Sequence, residues 1–265
     1  MPEASEPPER PVAPVAREPV QRWRLVLARE PLGSDATQRD QLAAWDEALR
    51  RSGLPLAGLD LDPPRPRFAI AAPLGAALSG EAELADVYLV ERVPAWRVRE
   101  ALDHAVPAGY ALQEAFDIWL GEAALPGQVV ASVYRVPVRA EPGLDDACRA
   151  LMNAATIERE RMKGSGPVRY DLRPFIEALE VGPADGNGDA TVRMTLRHDP
   201  ARGVGRPDEV LAAIGGQLGH DIAPAPGALV RERLVLAPPA APAPPRPRGP
   251  RRPGQPATPP SRPRK

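Results

Sequence analysis

The residues best equipped for chemistry lie between Glu158 and Arg173. Arg159, Arg161, Lys163, Arg169 and Arg173 stand there against Glu158, Glu160 and Asp171, and Tyr170 adds a stacking face. On an extended strand Arg159 and Arg161 project to one side. Such a pair can hold two phosphates or a partner's carboxylates. The same pattern suits a solvated strand face with cross-strand ion pairs, each worth little. Asp171 and Arg173 also share a face, where an internal ion pair would fix a bend at Pro174. Asp40, Arg65, Arg159, Arg161, Lys163, Arg169, Asp171 and Arg173 form the candidate binding set, provided a fold brings them to one cleft.

Other chemistries find little support. His104, His198 and His220 are scattered, with no acid or histidine at ligand spacing, and read as surface or capping residues. The single cysteine, Cys148, excludes a disulfide framework, a cysteine zinc site and an iron–sulfur cluster built within this chain. Beside Ala147 and Ala150 it reads as a buried, inert thiol. No nucleophile elbow, phosphate loop or dinucleotide fingerprint occurs. Gly203-Val204-Gly205 precedes a helix start, but Asp208 and Glu209 would repel an anion there. Glu81, Glu83 and Asp86 lack the spacing of a metal loop and read as a solubilising turn before a strand at Val87. No cofactor and no metal are expected.

Charge and proline divide the chain. Residues 238–265 hold twelve of the 36 prolines, six arginines, Lys265 and no acid, and residues 1–20 hold six prolines. Both ends are expected to be disordered. The basic end favours extended polyproline II and leaves an acidic body in a chain of net charge −1. Lysine occurs only at 163 and 265, so arginine carries nearly all positive charge. No apolar run of about 18 residues suggests a membrane span. The first residues lack the basic and apolar regions of a signal peptide, so a cytoplasmic protein is expected.

The elements that must position these residues follow from periodicity. A strand is expected over 22–28, with Trp23, Leu25 and Leu27 on one face. Asp35, with Gln38 three residues on, suits the cap of a helix bearing Leu42, Trp45 and Leu49 and stopped by Ser52-Gly53-Leu54-Pro55. Strands over 67–72 and 85–91 follow, then a helix opened by Pro94 and carrying Trp96, Ala101 and Leu102, and a strand over 110–118. The second half offers a strand over 128–138 and a helix over 144–151 opened by Asp145 and Asp146. Extended segments over 156–162 and 169–179 come next, Pro174 marking an edge or bulge in the latter. A turn at 185–188, a strand over 191–198, a helix from Pro207 to Gly219 and a strand over 229–236 complete it. The β-α-β-β-α-β order predicts an α+β fold of two ferredoxin-like halves with antiparallel sheets, 21–125 and 126–237.

Several strings resemble a family of radical-SAM-linked proteins of unknown function, a domain found alone or fused to B12-binding-type radical SAM proteins. They are Leu49–Pro55, Phe68–Gly75, Ser79–Glu83 with Asp86-Val87, Lys163-Gly164, Asp171–Pro174 and Arg206–Glu209. The resemblance implies a radical SAM enzyme as partner. It also implies histidines that this chain lacks. Where such proteins show Ser-His-Leu-Asp, this one has Thr37-Gln38-Arg39-Asp40. Where they show Pro-His-Pro and a base, it has Asp62-Pro63-Pro64-Arg65. An imidazole ligates metal and titrates near neutrality; glutamine does neither well and proline cannot.

Radical chemistry needs three cysteines, so this chain is not the radical enzyme. A non-catalytic accessory or substrate-presenting module beside a separate radical SAM enzyme is the leading expectation. An RNA-binding protein using the basic arm and the arginine-bearing strand is the alternative, and an enzyme working through Asp40 and Asp171 ranks last. No membrane partner is expected, since no amphipathic helix adjoins the basic tail.

Overall fold

The computed structural model describes residues 17–33, 35–163 and 166–238, without the side chains of Met162 and Lys163. Most of both proline-rich ends, and Gly164 of the family strings, lie outside the described residues. The body starts a little before residue 21, since Val20 N–H donates to the Leu89 carbonyl at 2.8 Å and Arg17 pairs with Glu91 at 3.2 Å.

The first half runs β1 (Gln21–Arg29), α1 (Gln38–Arg51), β2 (Phe68–Ile70), β3 (Ser79–Leu89), α2 (Ala95–Asp103) and β4 (Tyr110–Ile118). Next come β5 (Val129–Arg139), α3 (Leu144–Asn153) and a separate hairpin of β6 (Glu158–Lys163) and β7 (Gly166–Asp171). β8 (Ile176–Ala184), β9 (Asp189–Asp199), β10 (Gly203–Val204), α4 (Pro207–Leu218) and β11 (Val230–Leu236) follow. The mixed α+β class, with mainly antiparallel pairing, is therefore as the periodicity predicts.

The halves do not own separate sheets. Nine strands make one sheet of order β10-β9-β5-β11-β3-β1-β4, with β2 on β3 and β8 on β9. Each half repeats one pairing scheme: β4-β1-β3-β2 in the first and β11-β5-β9-β8 in the second. They join where β11 runs parallel to β3, Val230 opposite Ser79 and Arg231 opposite Gly80.

Helices cover one face. Alternation along β1 sends Trp23, Leu25 and Leu27 against Trp45 and Leu49 of α1 and Val98 and Leu102 of α2. In the second half Val192, Met194 and Leu196 of β9, all fully buried as expected, pack under α3 and α4. Leu74, from the loop after β2, packs in this second core although it precedes β5 by more than fifty residues. Among the described residues no helix is long and apolar enough to cross a membrane.

Several expectations need correction. The α1 cap is Thr37, not Asp35: Thr37 Oγ1 accepts from Asp40 N–H at 3.2 Å, and Asp40 accepts from Thr37 N–H at 2.9 Å. Leu42 stays 45% exposed, so Trp45, Ala48 and Leu49 carry the buried face of α1. In α2, Trp96 is 67% exposed because Val98 and Leu102 hold the inward stripe. Pro174 lies in a 3-10 turn, Arg173–Phe175, so the expected strand over 169–179 becomes β7 and β8 in different sheets. The acids before Val87 are not a solubilising turn, because β3 begins at Ser79 and buries Glu83 and Asp86. Asp86 accepts from Arg22 Nε and from Arg24 Nε, both at 2.9 Å. Pairing of this kind offsets the cost of burying charge.

Candidate functional site

The helix that Thr37 caps lies beside a cavity of about 410 Å³. Its apolar wall comes from Leu27 of β1, Leu42 and Trp45 of α1, Phe68 and Ile70 of β2, and Leu84 of β3. Trp45 stacks on Phe68, with centroids 5.0 Å apart and planes at 25°, and meets Tyr110 edge-on at 5.1 Å. The titratable residues of the lining are Arg29, Glu83 and Tyr110.

Arg29 continues the inward row of Trp23, Leu25 and Leu27 and is 3% exposed. Its Nη1 donates to the Leu74 carbonyl at 2.9 Å and to Gln41 Oε1 at 3.3 Å. Nη2 donates to the Leu78 carbonyl at 2.6 Å and to that of Gly75. Its Nε–H is buried without a hydrogen-bond partner, as is the indole N–H of Trp45. Burial pushes the Arg29 pKa down, opposed by Tyr110 and Glu83 and reinforced by Arg231. Arg231 grips Glu83, Nε to Oε1 at 2.8 Å and Nη2 to Oε2, and donates to the carbonyls of Ala72 at 3.0 Å and Pro73 at 3.2 Å. Two buried guanidinium groups thus hold five carbonyls of the 72–78 loop, which forms part of the cavity wall.

A groove on the outer side of α1 shares Gln38, Leu42 and Phe68 with this cavity and adds Arg39, Asp46, Arg50, Pro64 and Arg65. Arg50 pairs with Asp46 at 2.7 Å and donates to the Pro64 carbonyl at 2.6 Å, tying α1 to the segment after Pro63. The position of one expected histidine, Gln38, therefore faces the same groove as the residues just after the other, Pro63.

The predicted site residues fall into two groups. Arg65 lines the groove, while Asp40 serves the α1 cap and is held below the usual carboxylate range by its bonds from Thr37. The remainder belong to the β6–β7 hairpin and the turn after it. Arg159 Nε lies 3.8 Å from Glu209 Oε2 of α4, and the Arg161 guanidinium stacks 4.9 Å from the Tyr170 ring centre. Burial and the neighbouring Glu209 push the Tyr170 phenol up. Arg169 pairs with Glu160 at 3.3 Å, and the Lys163 side chain lies outside the described residues. Asp171 and Arg173 form no ion pair. Asp171 accepts from the backbone N–H groups of Ile157 at 2.8 Å and Arg173 at 2.9 Å, and the Arg173 guanidinium donates to the carbonyls of Met152 and Ile176, each at 2.8 Å. The sharp turn brings backbone donors closer to the carboxylate than its expected partner.

Among the described residues no three His, Cys, Asp or Glu side chains gather as a metal site. His198 Nε2 lies 2.9 Å from Ser132 Oγ, but Ser132 is fully buried and no substrate can reach it. The cavity residues Arg29, Glu83 and Trp45 are absent from the predicted set. The signal for two of them was a charge in phase with an apolar row: Arg29 two residues after Leu27, and Glu83 two before Ala85.

A search of curated proteins finds no match. Among solved structures, a chain from a crystal structure of a Cbf5-Nop10-Gar1 complex is similar at 11% identity and a TM-score of 0.41. That similarity covers 79% of this chain and 49% of the other, so this chain spans about half the length of the structure it matches. A family model described as an uncharacterized protein conserved in bacteria (DUF2344) matches residues 36–206, well over half of the sequence and most of the cavity wall. The chain belongs to that bacterial family.

Proposed function

We propose that this protein is a non-catalytic accessory module that holds a small ligand or substrate group for a separate radical SAM enzyme. The cavity beside α1 carries the reading. It combines an apolar, aromatic wall with few polar groups, as ligand sites do. Its carboxylate, Glu83, is already engaged by Arg231, which leaves it poorly placed as a general acid or base. Gln38 at the rim can donate and accept hydrogen bonds without titrating. The radical SAM partner rests on the resemblance of the sequence strings.

Affinity capture of the full-length chain from its native host, under anaerobic conditions, tests this reading. The expected result is co-elution of a radical SAM polypeptide with iron–sulfur absorbance. Purification without such a partner, or turnover by the isolated chain, would overturn it.

A further inference from the structure

We propose that the cavity between α1, β1 and β2 is a carboxylate site: it takes a small monoanionic acid whose flat apolar body lies against Trp45 and Phe68 and whose carboxylate meets Arg29. The proposal rests on the ligand-holding reading above and names the chemistry of what is held.

Charge balance is the first argument. Of the two charged residues lining the cavity, Glu83 is taken by the bidentate grip of Arg231. Arg29 has no carboxylate within ion-pair distance among the described residues; its partners are backbone carbonyls, an amide oxygen and the Tyr110 phenol. Neutral acceptors satisfy its protons without cancelling its charge. A buried cation with no counter-ion is unfavourable, and an incoming anion relieves it.

Donor inventory is the second. Arg29 Nε–H and Trp45 Nε1–H are both buried without partners, on residues that are 3% and 1% exposed. Guanidinium and indole donate and never accept. The unmet need is therefore for acceptor atoms. A carboxylate supplies acceptor oxygens and no competing donor, and the Arg29 Nε–H is the guanidinium proton left for it.

Shape is the third. Three of the chain's eleven aromatic residues, Trp45, Phe68 and Tyr110, touch one another here. Together with Leu27, Leu42 and Ile70 they offer an aromatic-rich apolar wall suited to a ring-bearing body. The volume, about 410 Å³, lies within the range of small-ligand pockets, roughly 300–1,000 Å³. One unpaired guanidinium in an apolar setting matches a single negative charge better than a phosphate dianion. The adjoining groove adds Arg39, Arg50 and Arg65 against Asp46, an excess of positive charge beside the cavity that favours the approach of anions.

Calorimetric titration of the full-length chain with 2-naphthoate, 2-naphthamide and 2-naphthylmethylammonium tests the assignment, because the three share a body and differ in charge. The naphthoate is expected to bind at least about tenfold more tightly than the amide, and the ammonium more weakly still. Leu42→Trp, at a half-exposed rim position, is expected to weaken naphthoate binding by at least about tenfold while leaving the melting temperature unchanged. Equal binding of the three probes, no binding of naphthoate at millimolar concentration, or full binding by Leu42→Trp would overturn the site. The outcomes separate from those of the capture experiment. Equal probe binding removes the carboxylate and leaves the holding role, whereas naphthoate selectivity without a co-eluting enzyme keeps the site and removes the partner.

Discussion

Arg231 and Glu83 face each other where the two halves of the sheet are joined, the guanidinium closing on both carboxylate oxygens beside the parallel contact of β11 with β3. The same guanidinium holds the carbonyls of Ala72 and Pro73, so one residue ties together a strand, its neighbour and the loop of the cavity wall. Replacing Glu83 by Gln would leave Arg231 buried without a charge partner, close to the already uncompensated Arg29. Urea unfolding of Glu83→Gln is expected to show a loss of about 3–5 kcal/mol. A loss below about 1 kcal/mol would mean that the pair does not hold the junction.

Thr37 and Asp40 close the start of α1 reciprocally. Thr37→Ala removes the side-chain acceptor and is expected to destabilise the protein by about 1 kcal/mol. Denaturant midpoints at constant slope would measure it. Because α1 carries Trp45, hydrogen exchange at the first turn of the helix should also rise in this variant.

Burial, with the charge of Arg231 nearby, pushes the His198 imidazole down to about 4, from 6.5 in an unfolded chain. The unfolded state thus binds more protons between these values, and stability falls as pH is lowered through that window. The stabilisation is complete above about pH 6.5, and its loss on acidification is expected to be on the order of 2 kcal/mol. Comparing His198→Gln with the parent chain between pH 7 and pH 4.5 checks this. The variant's stability should be flatter across the interval by about that amount.

Cys148 is 2% exposed on α3, and burial with the nearby Asp145 carboxylate pushes its thiol up to about 11. A thiol of that kind reacts slowly at neutral pH. Modification by a disulfide reagent is expected to be slow in the native protein and to accelerate at least about a hundredfold in denaturant. Rapid native labelling would contradict the burial of this face of α3.

Much of the architecture was legible because strand alternation and helix spacing survive in the sequence. Val192, Met194 and Leu196 fall on one face by period two and are all fully buried. Gly219 ends α4 in the left-handed region at φ 82°, as a helix-terminating glycine does. The candidate site was less legible for a physical reason. Its charges lie outside the expected strands, Arg29 just past 22–28 and Glu83 in a segment read as a turn, and their partners are remote: Glu83 meets Arg231 across 148 residues of chain. No local pattern encodes such a contact. The arginines of β6 and β7 had the opposite problem. Their clustering in sequence was plain, but the fold places Glu209, Tyr170 and Glu160 beside them.

The position of β11 has a consequence for how the chain is made. It is the last strand among the described residues, yet it occupies the middle of the order β10-β9-β5-β11-β3-β1-β4. Until residue 236 has left the ribosome, the edges of β5 and β3 that it will cover remain open, with unpaired backbone groups available to any passing strand. Cotranslational folding can assemble the strands around their helices first, but the seam between the halves closes only once β11 has been made.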